Sequence, residues 1–426
     1  MTELQARKSL YTLLLIVLLS CAGIALPYPI LAPLFLNEVN DFTTFANLNP
    51  KLLLGFLLAI YPLGVLIGSS FIGAASDIYG RKKVLMITLT ISAIGYLCSV
   101  WALLSENYLL FALTRFITGI SEGNIAIARA IAIDLSPPLD RTRSYSLVSA
   151  TTYAGWLVGP LVGGLLQPYG NHHAFVVGAI AMALTIVLVH FLLTETKSPA
   201  QVVTSKLSLR RLIYQQNSFT LLKHQPIRRL FYVFLFSTLA TNAFYEFYPL
   251  WLVESFNFEG PGIGFITAIL TTAMILSSVN LLPYLKRRVG SVNACLIAMT
   301  LFAIFMLFHN LISEQGVWYI YPLIGVVIAI YNALLSVYAS EKFDHEDQGK
   351  LMGLITTTFS LSNMLMAIVG SLIAIYGSVY AIMTGGILMI VAVLSLYYGF
   401  AGHPRLSENT SPNDKEISAD DRQLND

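Results

Sequence analysis

The stretch Gly73-Ala74-Ala75-Ser76-Asp77-Ile78-Tyr79-Gly80-Arg81-Lys82-Lys83 interrupts a chain that is otherwise almost entirely apolar. The runs on either side, 52–72 and 84–104, carry no charge and are each about 20 residues long, the length that crosses a hydrocarbon core. Four strongly charged side chains within seven residues cannot sit in lipid. The stretch is therefore expected to be a tight loop between two membrane helices, and its three cations place it on the cytoplasmic side. Gly80 permits a positive φ in the turn. Gly73 lets a neighbouring helix approach closely. Asp77 and Arg81 are placed for charge-assisted hydrogen bonds at the membrane surface.

Working outward, the 426 residues are 56% hydrophobic and only 11% charged, less than half the charge of an ordinary soluble domain. A single soluble core of that composition would precipitate. The net charge of +2 gives no reason to expect a nucleic-acid partner. Cys21, Cys98 and Cys295 all fall in apolar runs and read as small packing residues, with neither disulfide nor metal spacing. Arg7 and Lys8 precede an apolar run reaching Leu36, too long for the core of a signal peptide, so a retained first helix is expected.

The apolar periodicity predicts twelve spans: α1 (10–36), α2 (52–73), α3 (84–104), α4 (108–133), α5 (144–167), α6 (173–193), α7 (229–253), α8 (263–285), α9 (292–312), α10 (317–339), α11 (350–376) and α12 (379–401). With the N-terminus inside, 22 of the 25 Lys and Arg fall in cytoplasmic segments. Two more lie within α4, and Lys51 alone faces out. A wrong helix count would scramble that alternation. The organisation is thus an all-α membrane protein: a six-helix bundle over 1–193, a basic cytoplasmic linker over 194–228, a second six-helix bundle over 229–401 and a polar tail over 402–426. Leu207, Leu209, Leu212 and Ile213 beside Arg210 and Arg211 suggest a short amphipathic helix in the linker, and the tail reads as disordered.

The spacing Gly-x3-Asp-x2-Gly-Arg-Lys-Lys resembles the loop between helices 2 and 3 of the major facilitator superfamily of transporters, and two pseudo-symmetric six-helix halves are its layout. Lys286-Arg287-Arg288-Val289-Gly290 stands where the motif would recur, with Arg287 in place of Asp77. In that superfamily the first, fourth, seventh and tenth helices line a central cavity. By resemblance, Asp134 lies near Arg81 when the transporter faces outward. Asp77, Arg81 and Asp134, with Gly73, Gly80 and Lys82, would then form a conformational latch whose charge relay breaks on inward opening.

Three further spans carry polar groups. In α1, Pro27, Pro29 and Pro33 surround Tyr28 and bend the helix. In α4, Arg115, Glu122 and Arg129 recur every seven residues near one face, which must look toward protein or water. Arg115-x3-Gly119 resembles the fourth-helix signature of proton-coupled members, implying a cavity-facing Arg115 that influences protonation nearby. Asn124 and Arg129 of α4, Asn242 and Tyr245 of α7, and Asn332 of α10 are expected to border the substrate cavity. Glu246 of α7 lies among aromatic residues, where loss of water favours the neutral carboxyl. Glu246 is the preferred proton carrier over Glu122, with Arg115 as modulator, because Arg115 and Arg129 flank Glu122. Glu254 is expected to be solvated near the outer edge.

In α5, Gly155, Gly159, Pro160, Gly163 and Gly164 match the Gly-x3-Gly-Pro-x2-Gly-Gly pattern that accompanies export in the twelve-helix drug–proton antiporters. Gly155, Gly159 and Gly163 also share one face and allow close helix contact.

No enzymatic constellation stands out. The seven histidines show no paired metal spacing, no Gly-Lys-Ser/Thr loop cradles a phosphate, and no cofactor is implied. The expectation is a secondary active transporter, functional as a monomer, that exports a small organic solute or drug in exchange for protons across a bacterial inner membrane, with both termini cytoplasmic. A proton-coupled uptake symporter is the first alternative. A transport-inactive sensor or scaffold is the second.

Overall fold

In the computed structural model, residues 3–122, 124–135, 138–196, 222, 225–342 and 348–400 are described, and they are helical along most of their length. In the first half, α1 forms two pieces, Glu3–Ala25 and Tyr28–Asn37; α2 is Pro50–Tyr79 and α3 is Arg81–Leu104. Next, α4 is again in two pieces, Tyr108–Ser121 and Asn124–Asp134, followed by α5 (Arg141–Leu166) and α6 (His173–Leu192). In the second half, α7 is Gln225–Phe256, and α8 runs from Gly260–Leu276 through a π turn, Ser277–Leu281, into Leu282–Val289. Then follow α9 (Ser291–Leu307), α10 (Glu314–Lys342), α11 (Gln348–Ala374) and α12 (Ser378–Phe400). By length and composition, eight of the helices among the described residues can cross a membrane, and α9 and the first piece of α4 are shorter apolar helices. The amphipathic helix expected in the linker and the polar tail lie outside the described residues.

Local chemistry accounts for the ends. Asn49 caps α2 by accepting from the Lys51 N–H at 3.0 Å, with Pro50 in the first turn, where its missing donor costs nothing. Asn107 caps α4 through the Leu110 N–H at 2.9 Å. The break in α1 falls at Leu26 and Pro27, next to Pro29, where two backbone donors are missing in three residues.

The expected loop at 73–83 is corrected. Helix α2 stays helical through Asp77 to Tyr79 and α3 starts at Arg81, so the connection is Gly80 alone, at φ 96° and ψ 142°. Charges in a last helical turn reach the headgroups without unwinding, because long side chains extend toward water. Between α8 and α9, Gly290 makes the same one-residue hinge at φ 84° and ψ 156°. The two copies of the motif thus share a backbone although the second has no acid.

Packing follows a two-fold pattern. Contacts of α1 with α5 and α6, α2 with α4, and α3 with α4 and α6 are matched by α7 with α11 and α12, α8 with α10, and α9 with α10 and α12. The halves meet through α2 against α11 and α5 against α8. The end of the bundle that carries the start of α1 and the hinges at Gly80 and Gly290 is the terminal end. The opposite end is the far end. The far piece of α1, Tyr28–Asn37, touches α7 and α8 across the divide, whereas Glu3–Ala25 packs on α5 and α6 of its own half.

Candidate functional site

Polar residues of α3 and α4 pair with one another. Thr88 donates to Asn124 Oδ1 at 2.6 Å, Ser92 meets Ser121 at 2.7 Å and Ser99 meets Thr114 at 2.7 Å, all buried. Satisfied in this way, they fix the rotation of α4 and set its charged side chains. The first piece of α4 ends at Ser121, with Glu122 at its C-cap and Asn124 in the second piece. Arg115, 7% exposed, is ringed by Tyr61 of α2, Tyr96 of α3 and Phe175 of α6 at 4.6, 5.7 and 5.9 Å from the ring centroids. All three rings of this cation–π cage belong to its own half. Tyr96 also donates to Gly23 O at 2.8 Å, which fastens the cage to α1.

Glu122, 7% exposed, faces Arg115, and the Tyr61 hydroxyl is within its hydrogen-bond reach. One carboxyl oxygen, Oε1, has no partner. Glu246, 5% exposed on α7, has a partner on neither oxygen. An ionised carboxylate held that way would carry a desolvation cost of several kcal/mol. Tyr28 lies within electrostatic reach of both Glu246 and Arg115 and packs edge-on to Trp156 at 5.5 Å. Tyr245 donates to the Met274 sulfur at 3.2 Å and faces Tyr153 of the opposite half. Asn124 and Asn242 are buried with an unpartnered amide nitrogen each. Asn332 is exposed, one heptad beyond Gly325, whose Cα hydrogens meet the Leu270 backbone of α8. Arg129 lies on the terminal-end piece of α4 and is half-buried. The seven-residue recurrence in α4 and the lone acid among aromatic residues in α7 pointed to the acids. Tyr61 and Tyr28, which touch them, carry no such signal because an aromatic in an apolar run is ordinary.

At the terminal end, Arg81 Nε donates to Asp134 Oδ2 at 3.2 Å and Nη1 donates to Ser76 Oγ at 2.7 Å. Lys82 Nζ caps the last turn of α6 through His190 O at 2.8 Å. The side chain of Asp77 and the surroundings of Gly73 lie outside the described residues. Sequence reasoning missed Glu195. Its two oxygens accept from the Arg81 and Lys82 N–H groups at 3.0 and 3.1 Å, placing a carboxylate on the N-terminus of α3. A Cβ on Gly80 would stand 2.7 Å from Glu195 Oε2, so glycine is needed there for space as well as for φ. Asp134 and Arg81 both belong to the first half. Their pair is intact here although the far ends of the halves are in contact.

The five α5 motif residues divide in two. A Cβ on Gly155, Gly159 or Gly163 would fall 2.4, 2.6 or 2.0 Å from Cys21, Ala22 O or Leu26 O of α1, so these three seat α5 on its own half. A Cβ on Gly164 would fall 2.3 Å from Gly260 O, and one on Gly264 would fall 2.7 Å from Pro160 O, so these positions close α5 on α8 across the divide. On the other side of the two-fold, Gly55 of α2 seats against Ser371 and Ala367 O of α11.

Two pseudo-symmetric helical halves, packed on each other with buried acids and aromatic residues on both, define a membrane transporter of the alternating-access type. The chain belongs to the Major Facilitator Superfamily, whose sequence model matches residues 13–363. It is 26% identical over 402 residues to the tetracycline resistance protein, class H, of Pasteurella multocida, covering 92% of this chain and 96% of that one. It is 28% identical over 358 residues to the class D protein of Salmonella ordonez, covering 82% and 86%. Among solved structures, a D-xylose–proton symporter superposes with a TM-score of 0.72 at 17% identity over 92% of this chain and 97% of that one. The human organic anion transporter MFSD10 gives 0.67 at 20%, over 92% and 99%. At these identities the structures establish the fold alone.

Proposed function

We propose that this transporter exports a small organic solute in exchange for protons, across a bacterial inner membrane and as a monomer, with the terminal end in the cytoplasm. The observation that carries the coupling is Glu246, buried on α7 with neither carboxyl oxygen partnered. A group that must lose its proton in one facing state and regain it in the other needs such a site, without a fixed counter-charge. Glu122 differs in that Arg115 and Tyr61 already engage it. Export is supported by the α5 glycine–proline motif and by the resistance role in the relatives' names. The orientation rests on the cation alternation. Tyr28, Tyr153, Trp156 and Tyr245, all partly exposed, suit a flat aromatic solute.

The test uses everted membrane vesicles with an acidic lumen, offered tetracycline and then a panel of fluorescent aromatic drugs. The parent protein should accumulate at least one of them, and Glu246→Gln should abolish accumulation while leaving binding near the parent level. Loss in Glu122→Gln with full retention in Glu246→Gln would reassign the proton carrier. Uptake only in right-side-out vesicles would establish a symporter, and no flux in either orientation would leave a sensor or scaffold.

A further inference from the structure

Lys51 is the one cation that the alternation leaves on the outer side, at the start of α2, and it is three-quarters or more buried. Its ammonium forms an ion pair with Glu254 at the end of α7 and donates to Ala374 O, at the end of α11, at 2.8 Å. Both partners belong to the other half. The last carbonyls of α11 bring the negative end of a helix dipole to the same point. Glu254 is in turn held by Ser378, whose N–H donates to it at 3.0 Å and whose hydroxyl donates to the same oxygen. The lysine thus enters a socket built from three helix ends, and Glu254, expected to be solvated, is its wall.

The two-fold sharpens this. In the first half the corresponding acid, Glu38 at the end of α1, accepts from Asn171 at the start of α6 at 2.6 Å, as Glu254 does from Ser378 at the start of α12. An acid tying the first helix of each half to its sixth is therefore a feature of both. The matching position in the other half holds no cation, because aligning Pro261 of α8 with Pro50 of α2 puts Gly262 where Lys51 stands. The α5–α8 side closes by glycine contact, and the α2–α11 side adds the Lys51–Glu254 ion pair to the glycine contact of Gly55.

We propose that Lys51, Glu254, Ser378 and the end of α11 form an outer clasp that holds the far ends of the two halves together and sets how readily the transporter opens outward. The proposal rests on the alternating-access reading but not on proton coupling or direction of transport. A hydrogen-bonded ion pair shielded from water favours the closed state, and removing either member releases the same contact.

The test places spin labels at Val39 and Leu311, far-end positions of the two halves that are 88% and 72% exposed, after replacing the three cysteines. Inter-label distances are read without substrate or gradient, so they are independent of the export assay. Lys51→Met and Glu254→Gln should each raise the open-to-closed ratio on the order of fivefold. The double variant should go no further than the larger single one, because the two share one interaction. Lys51→Arg, which keeps the charge, should stay near the parent and guards against a general packing defect. Unchanged distances in both single variants, additive shifts in the double, or a Lys51→Arg shift as large as Lys51→Met would each overturn the clasp.

Discussion

Gly80 and Gly290 adopt nearly the same backbone, at φ 96° and φ 84°, but have different surroundings. A Cβ on Gly80 would meet the Glu195 carboxylate at 2.7 Å, whereas one on Gly290 would meet nothing within 4 Å. Alanine at either site forces an L-residue into a conformation costing of order 1–3 kcal/mol. Only at Gly80 does it also displace the carboxylate that caps α3. Gly80→Ala should therefore lower the melting temperature of the detergent-solubilised protein more than Gly290→Ala, and Glu195→Gln should narrow the gap between them. Equal losses from the two alanines would show that Glu195 contributes nothing through Gly80. The same residue bears on the expected charge relay. Arg81 and Asp134 sit in one half, so their ion pair fastens α3 to α4 and can respond to rocking only through something from the other half.

Among the elements, α5 carries the clearest division of labour. Its glycines at 155, 159 and 163 face α1, where Gly159 and Gly163 meet backbone oxygens, which are part of the main chain and cannot swing aside as a side chain can. Gly164 and Pro160 face α8 across the divide. Gly163→Val should separate α1 from α5 and destabilise the first half by about 1–3 kcal/mol, as overpacked sites do, with loss of transport and of thermal stability together. Gly164→Ala should behave differently: the halves part at the far end, transport falls, and melting temperature changes little. A Gly164→Ala protein that is as unstable as Gly163→Val would mean both glycines serve the same contact. Helix α4 is set by its three buried pairs with α3, and Glu122 stands at the C-cap of its first piece.

At the scale of the whole molecule, the halves close by glycine contacts on both sides, at Gly164 of α5 and Gly55 of α2, and by Lys51 in its socket on the α2–α11 side alone among the described residues. A transporter that must open there repeatedly needs contacts that re-form without rearranging either half, and both kinds meet that need. The orientation follows from charge alone and is open to direct measurement. A cysteine at Val39, on the far end, should be labelled in intact cells by a membrane-impermeant maleimide, whereas one at Tyr79, 59% exposed at the terminal end, should react only after permeabilisation. Labelling of Tyr79→Cys from outside would invert the proposed topology and, with it, the direction assigned to transport.

The amino-acid sequence determined the all-helical class, because runs of about 20 apolar residues have one stable conformation in lipid. Cation spacing likewise set the order of the spans, and the glycines at 80, 155, 159 and 163 marked places where backbone had to turn or approach. Tertiary structure decided what faces what. No pattern within α4 shows that Arg115 is caged by rings from three other helices, nor that Tyr61 reaches Glu122. Glu195 and the end of α6 reach the Gly80 turn only once the first half has packed. Lys51 and Glu254 are 203 positions apart and each looked like a solvated end of a helix. Their pairing exists because the two halves close on each other, and periodicity, which describes one helix at a time, holds no information about that contact.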